Sequence, residues 1–223
     1  MNKNVHLILF PLLLSFWACD PAKPKEEKTF IYELPKPRGA DSLHFYYRYK
    51  NMVSEQLSLT RLEDGVDSFE LRLWSEITIA QPSILYTLKK AENNWQCMQY
   101  NIWGHDESLN NFKFYRYIVD SVQLYSVKPK CDWNMLLDSM NKEGLLTLPS
   151  NDEIKGMENV GISDGTIYSV EYATSSKYRF YYYHSPSVLP QFSDCVKMNN
   201  ILEMWARNVG GIFWRPMREK KPD

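Results

Sequence analysis

Residues 165–184 read GTIYSVEYATSSKYRFYYYH, and this stretch decides the fold. Two runs rich in aromatic and β-branched residues flank Ser175-Ser176. Such side chains fit a pleated, half-buried surface, and a pair of serines suits a turn. The stretch therefore predicts an antiparallel hairpin. Side chains alternate between the two faces of a strand. Tyr178, Phe180 and Tyr182 then share one face, with Tyr181 and Tyr183 on the other beside Arg179. One face can feed a core, and the second is expected to display tyrosine rings.

Upstream, the same signals recur. In FELRLWSEI, Phe69, Leu71 and Leu73 point one way and Glu70 and Arg72 the other, which predicts a strand. ILYTLKKAENNWQCMQYNIWG predicts a hairpin, Ile84 to Ala91 and Trp95 to Trp103, turning at Asn93-Asn94 because Asn tolerates left-handed conformations. FKFYRYIVDSVQLYSV predicts a further strand with a bend near Asp120, placing Tyr115 and Tyr117 on one side. LHFYYRY, residues 43–49, alternates badly but is rich in strand formers and is read as a strand. The period then becomes helical. Asp132 can cap a helix carrying Trp133, Leu136, Leu137 and Met140, stopped at Gly144. Residues 145–165 show no clear element. A last helix is expected from about Pro190 to Asn208, with Phe192, Cys195, Val196, Leu202 and Trp205 on its apolar stripe. Strands followed by two late amphipathic helices are an α+β pattern. The expected fold is a mostly antiparallel sheet with both helices, in the C-terminal half, covering one face.

The chain has 26 Lys and Arg against 27 Asp and Glu, for a net charge of -1. No basic field invites nucleic acid. Fifteen Tyr, ten Phe and seven Trp against only nine Gly favour strands over a glycine-rich phosphate loop. No metal-spaced His pair, Walker loop, nucleophile elbow or dinucleotide fingerprint occurs. No catalytic residue, metal ligand or cofactor is assigned. His105-Asp106-Glu107 reads as a solvated loop rather than a metal set, and Asp164 with Glu171 as a turn residue and a strand residue rather than paired carboxylates.

At the start, Lys3 precedes an apolar run from Val5 to Trp17, ending in Ala18-Cys19. The run suits a signal-peptide core and is too short to span a bilayer, which needs about 20 residues. Pro21, Pro24, Pro35 and Pro37, interleaved with lysines, then predict an extended tether. The expected organisation is a signal peptide 1–18, Cys19 with a tether 19–40, one domain 41–211 and a polar tail 212–223. With Cys19 set aside at the leader's end, Cys97, Cys131 and Cys195 remain, an odd number that leaves at least one thiol unpaired.

Ser15-Phe16-Trp17-Ala18-Cys19 resembles the lipobox of bacterial lipoproteins, in the looser form of the Bacteroidota type. Asp164-Gly165, Tyr168, Glu171, Arg179, Tyr181, Tyr183 and Pro186, followed by a closing helix, look like the C-terminal pattern of small lipoproteins of that type. The resemblance implies export, a lipid on Cys19 and a place in the cell envelope, with the outer membrane favoured. It implies no activity. The expected role is a binding or interaction module of the envelope, using Tyr115, Tyr117, Arg179, Tyr181 and Tyr183 against a protein or a glycan. An envelope hydrolase built from loops near Asp164, His105 and His184 is one alternative, and a toxin-neutralising lipoprotein another.

Overall fold

The computed structural model describes residues 29–36, 44–77, 80–92, 94–109 and 114–210. The expected signal peptide, Cys19 and the tail 212–223 lie outside the described residues. The fold is α+β. Seven strands form one sheet in the order β1-β7-β6-β2-β3-β4-β5. These are β1 (Ile31–Glu33), β2 (Phe69–Ile77), β3 (Ala80–Ala91), β4 (Asn94–Leu109), β5 (Phe114–Val127), β6 (Thr166–Thr174) and β7 (Lys177–His184). Every pairing is antiparallel except β1 with β7. Among the described residues three α-helices accompany the sheet: α1 (Phe45–Gln56), α2 (Trp133–Lys142) and α3 (Ser193–Asn208).

The 165–184 hairpin pairs Ala173 with Tyr178 around Ser175-Ser176. In the β3–β4 hairpin Ala91 pairs with Asn94, so Asn94 is already in the strand, and Asn93 lies outside the described residues. The bend near Asp120 is a β-bulge: Trp103 pairs with Ser121 and Gly104 with Val119, leaving Asp120 as the extra residue.

Two segments differ from the sequence reading. LHFYYRY enters helix α1. Tyr47, Lys50 and Ser54, with Tyr49 and Val53, are its buried residues, and that i, i+3, i+4 spacing is helical. The His44 ring accepts the Tyr46 N–H at the N-terminus. Aromatic residues have a β preference, but the packing of one helical stripe overrides it. The second difference is β1, which lies inside the expected tether. Ile31, Tyr32 and Glu33 pair with Lys177, Tyr178 and Arg179. Glu33 ion-pairs Lys177 at 2.8 Å and Arg179 at 3.2 Å, and Tyr32 stacks on Tyr178. The sheet therefore begins ahead of residue 41.

Residues of α2 (Trp133, Leu136, Met140) and α3 (Cys195, Met198, Ile201, Leu202, Trp205) share a core cluster with Leu71, Leu73, Tyr86, Leu88, Val170, Tyr181 and Tyr183. Residues of α1 share two smaller clusters with the alternate set, Trp74, Leu85, Ile102, Tyr117, Tyr178 and Phe180. Asp132 caps α2 by accepting two backbone N–H groups, worth about 1 kcal/mol. No side chain caps the start of α3. Its apolar residues supply more, since burying each large one contributes roughly 2 kcal/mol.

The α1 side of the sheet also buries charge. Arg72 bonds Glu70 at 2.9 Å and lies 3.8 Å from Glu171. Glu171 accepts Trp74 Nε1–H and the Tyr178 hydroxyl. Lys50, 0% exposed, ion-pairs Glu76, and Lys89 pairs Glu70 at 3.1 Å. Three cations meet three carboxylates, so the site is charge-balanced, as buried ions must be. Burial lowers the Lys50 pKa and raises that of Glu171.

Candidate functional site

The expected display of rings is not what the structure shows. Tyr181 and Tyr183 are buried in the cluster shared with α2 and α3, and the Tyr181 hydroxyl donates to Leu145 O at 2.7 Å. Tyr117 is buried against Tyr49, ring centres 5.0 Å apart. The side chain of Tyr115 lies outside the described residues. Arg179 binds the chain itself, donating to Leu146 O and Leu148 O at 2.9 and 2.6 Å. Tyr117, Tyr181 and Tyr183 are core residues, and Arg179 anchors the loop at 146–148. Cys97, Cys131 and Cys195 are free thiols. Burial pushes Cys97 up to about 12 and Cys195 up to about 11, so neither is a ready thiolate.

The structure gathers a different set. Tyr182 and His184 alternate along the end of β7. The start of α1 brings His44, Phe45 and Tyr46 over them, and the 151–162 segment brings Asn151, Met157, Glu158, Val160 and Ile162. Together they line a cleft of about 300 Å³. His44 and Tyr46 each lie 4.7 Å, centre to centre, from the Tyr182 ring. Phe45 packs edge-on to Tyr46 and is 40% exposed, which places one ring at the mouth. Ser150 and Asn151 fix the floor by accepting the Tyr182 and His184 N–H groups, each at 3.3 Å.

The two histidines differ in what they can do. His44 Nε2 lies 2.9 Å from Asp152 Oδ2, and its Nδ1 accepts the Tyr46 N–H. An N–H can only donate, so Nδ1 carries no proton and Nε2–H points at Asp152. Neither nitrogen is left to serve a nucleophile, as a triad base must. His184 Nε2 is buried without a hydrogen-bond partner among the described residues. Burial lowers its pKa, so the ring is held neutral. Ser185, next along the chain, sits at φ 45°; its Oγ accepts the Thr166 N–H at 3.0 Å and makes no hydrogen bond with His184 Nε2. Gly165 makes this possible. A Cβ there would meet Ser185 Oγ at 1.9 Å, and its φ is +143°.

Of the residues of the hydrolase alternative, Asp164 directly precedes Gly165, which lies beside His184, but His105 stands apart from both. His105 lies on β4, a strand rather than the loop read from sequence, and pairs with Asp120 at 3.0 Å. Three strands stand between β4 and β7. Asp164 is exposed before β6, whereas Glu171 is buried within it. Among the described residues no group of three His, Cys, Asp or Glu side chains could hold a metal ion, and no helix is long and apolar enough to cross a membrane. No family model matches the chain, and neither a curated protein nor a solved structure matches it.

Sequence reasoning had His184 and Tyr182 in hand but missed His44, Tyr46 and Asn151. These meet β7 only because residues 45–56 are helical and the 151–162 segment folds back. A signal was present: His44 directly precedes a stretch whose buried residues recur at helical spacing.

Proposed function

We propose that this is an envelope protein held by a lipid on Cys19, and that its domain is a binding module whose ligand enters the His44–His184 cleft. In this reading α2 and α3 cover one sheet face and α1 the other, with the cleft at the start of α1. The observation that carries the binding reading is His184 Nε2. A buried polar atom without a partner costs roughly 1–3 kcal/mol, and it belongs to a residue that lines a cleft with Phe45, Tyr46 and Tyr182. A ligand that hydrogen-bonds it relieves that cost. The ring faces, a neutral imidazole and the Glu158 carboxylate suit a sugar unit, with an apolar face for stacking and hydroxyls for both polar groups. An envelope glycan is the class of ligand this chemistry fits. The engagement of both His44 nitrogens, and the absence of a Ser–His pair at Ser185, favour binding over hydrolysis.

The test is a titration of the purified protein with soluble peptidoglycan fragments and with chito-oligosaccharides, followed by NMR of the histidine rings. We expect the His184 signals to move with saturation, the His105 signals to stay, and Phe45→Ala to weaken binding about tenfold or more. Unmoved His184 signals with both probes at millimolar concentration would sink the glycan reading.

A further inference from the structure

The two edges of the sheet are treated differently. At β7, β1 pairs with residues 177–179, and the Ser150 and Asn151 side chains bond Tyr182 and His184. At β5, Gln56 does the same for a short length. Its side-chain amide donates to Tyr117 O at 2.8 Å and accepts from Val119 N at 2.9 Å, imitating one peptide unit of a neighbouring strand. The seal ends there. After the bulge at Asp120, residues 121–127 (SVQLYSV) pair only with β4 among the described residues. Leu124 is 53% exposed and Tyr125 47% exposed. The usual guards of a free edge are charge, proline, a bulge or a covering element; the bulge lies before this stretch, 121–127 holds no charge or proline, and no element among the described residues pairs with its outer side.

The parity of the edge follows from Gln56. Tyr117 and Val119 turn their main-chain groups outward, and each residue of an antiparallel strand bonds to one side only. Carried through the register across the bulge, Val122, Leu124 and Ser126 face outward. An antiparallel partner strand can add there.

We propose that the occupant is a second copy of this chain, with the two β5 strands pairing antiparallel about Leu124. The sequence is self-complementary in that register. Leu124 meets Leu124 on the two-fold axis, and Gln123 meets Tyr125. Within one strand Gln123 and Tyr125 already bond through the Tyr125 hydroxyl at 2.8 Å. At both ends Asp120 of one copy falls opposite Lys128 of the other. The seven residues between are uncharged. A two-fold interface needs such matching of a patch to itself, and the result is one continuous sheet of fourteen strands, two sets of the seven in one copy.

Site-directed crosslinking of the full chain in its membrane tests this. Opposed residues of an outward-bonded antiparallel pair stand about 5.5 Å apart, within reach of a disulfide. Leu124→Cys, oxidised with diamide, is expected to give a species of twice the mass on a non-reducing gel. Met135→Cys, 64% exposed elsewhere on the surface, and the unsubstituted chain are expected to stay single. No dimer, equal dimer from Leu124→Cys and Met135→Cys, or a crosslinked band of another mass each overturns the proposal, the last by showing a different occupant. Charge exchange gives a second reading that leaves the fold intact. Asp120→Lys is expected to weaken dimerisation by roughly three- to tenfold, since an exposed pair is worth up to about 1 kcal/mol. Asp120→Lys with Lys128→Asp is expected to restore it, and failure of the double exchange to recover counts against the register.

Discussion

Arg72 and Glu171 are register partners across β2 and β6, and both are buried. The pair stands on the central strands of the sheet, where Glu171 also accepts hydrogen bonds from Trp74 Nε1–H and the Tyr178 hydroxyl. Arg72 keeps Glu70 if Glu171 is removed, but the Trp74 N–H and the Tyr178 hydroxyl are left buried without their acceptor, at a cost of about 1–3 kcal/mol each. Glu171→Ala is therefore expected to lower the unfolding free energy by the two costs together in urea titrations. Glu171→Gln keeps one acceptor oxygen and is expected to cost less. Equal and small losses for both would mean that water reaches the network.

Gly104 stands at the bulge opposite Val119. A Cβ there would lie 2.3 Å from Ile118 O and 2.6 Å from the Tyr117 ring. A carbonyl oxygen and a buried ring cannot both move aside cheaply, so Gly104→Ala is expected to cost about 1–3 kcal/mol, as overpacking does. Gly161 is the contrast, with nothing within 4 Å. Gly161→Ala is expected to be neutral or slightly stabilising, through the unfolded chain. The midpoint of thermal unfolding reads both, at roughly 2–4 °C per kcal/mol for a domain of this size.

The strands and the two late helices were legible because their side-chain periods are undiluted: 2 in FELRLWSEI, 3.6 around Leu136 and Leu202. The 165–184 hairpin was legible for the same reason. What misled the reading was the assumption that a polar residue on a strand faces water. Glu70, Arg72 and Glu171 are buried because each meets an opposite charge from another strand, and no local pattern announces a partner 100 residues away. The burial of the tyrosines at 181 and 183 escapes the local pattern in the same way, since residues that share their cluster, such as Leu71 and Leu136, come from distant sequence. Residues 45–49 defeated the reading through composition, because five aromatic or basic residues in a row look alike as strand or helix until the burial of Lys50, Val53 and Ser54 is known.

His184 and His105 are expected to titrate on opposite sides of 6.5. Burial lowers the pKa of His184. For His105, the hydrogen bond it donates to Asp120 and then the Asp120 charge raise it. The signs have different consequences for stability. The unfolded chain takes up a proton at residue 184 before the folded one does, so this group's contribution is full above pH 6.5 and is lost as pH falls below it. The His105–Asp120 contribution is full below pH 6.5 and is lost as pH rises through the folded value. The His105 pair is exposed and screened, so the acid side dominates. NMR titration of the two rings checks the order, and His184→Gln is expected to flatten the loss of urea stability between pH 7.5 and 5. Two rings titrating together at 6.5 would remove the argument that the cleft holds a neutral imidazole.

The proposed lipid on Cys19 makes the sharpest demand on the whole chain. One acyl chain holds a protein to a bilayer only marginally, while two or more, at about 0.8 kcal/mol per buried methylene, hold it lastingly. The mature protein is expected to begin at Cys19 with an added mass of a diacylglyceryl group, and to leave the membrane fraction only with detergent. Cys19→Ser keeps the apolar leader and Ala18 but removes the thiol that takes the lipid, so the chain is expected to move to the soluble fraction while its domain stays folded by circular dichroism. An unmodified mass starting at Cys19, or a Cys19→Ser chain that stays with the membrane as firmly as the original, would place the anchor elsewhere.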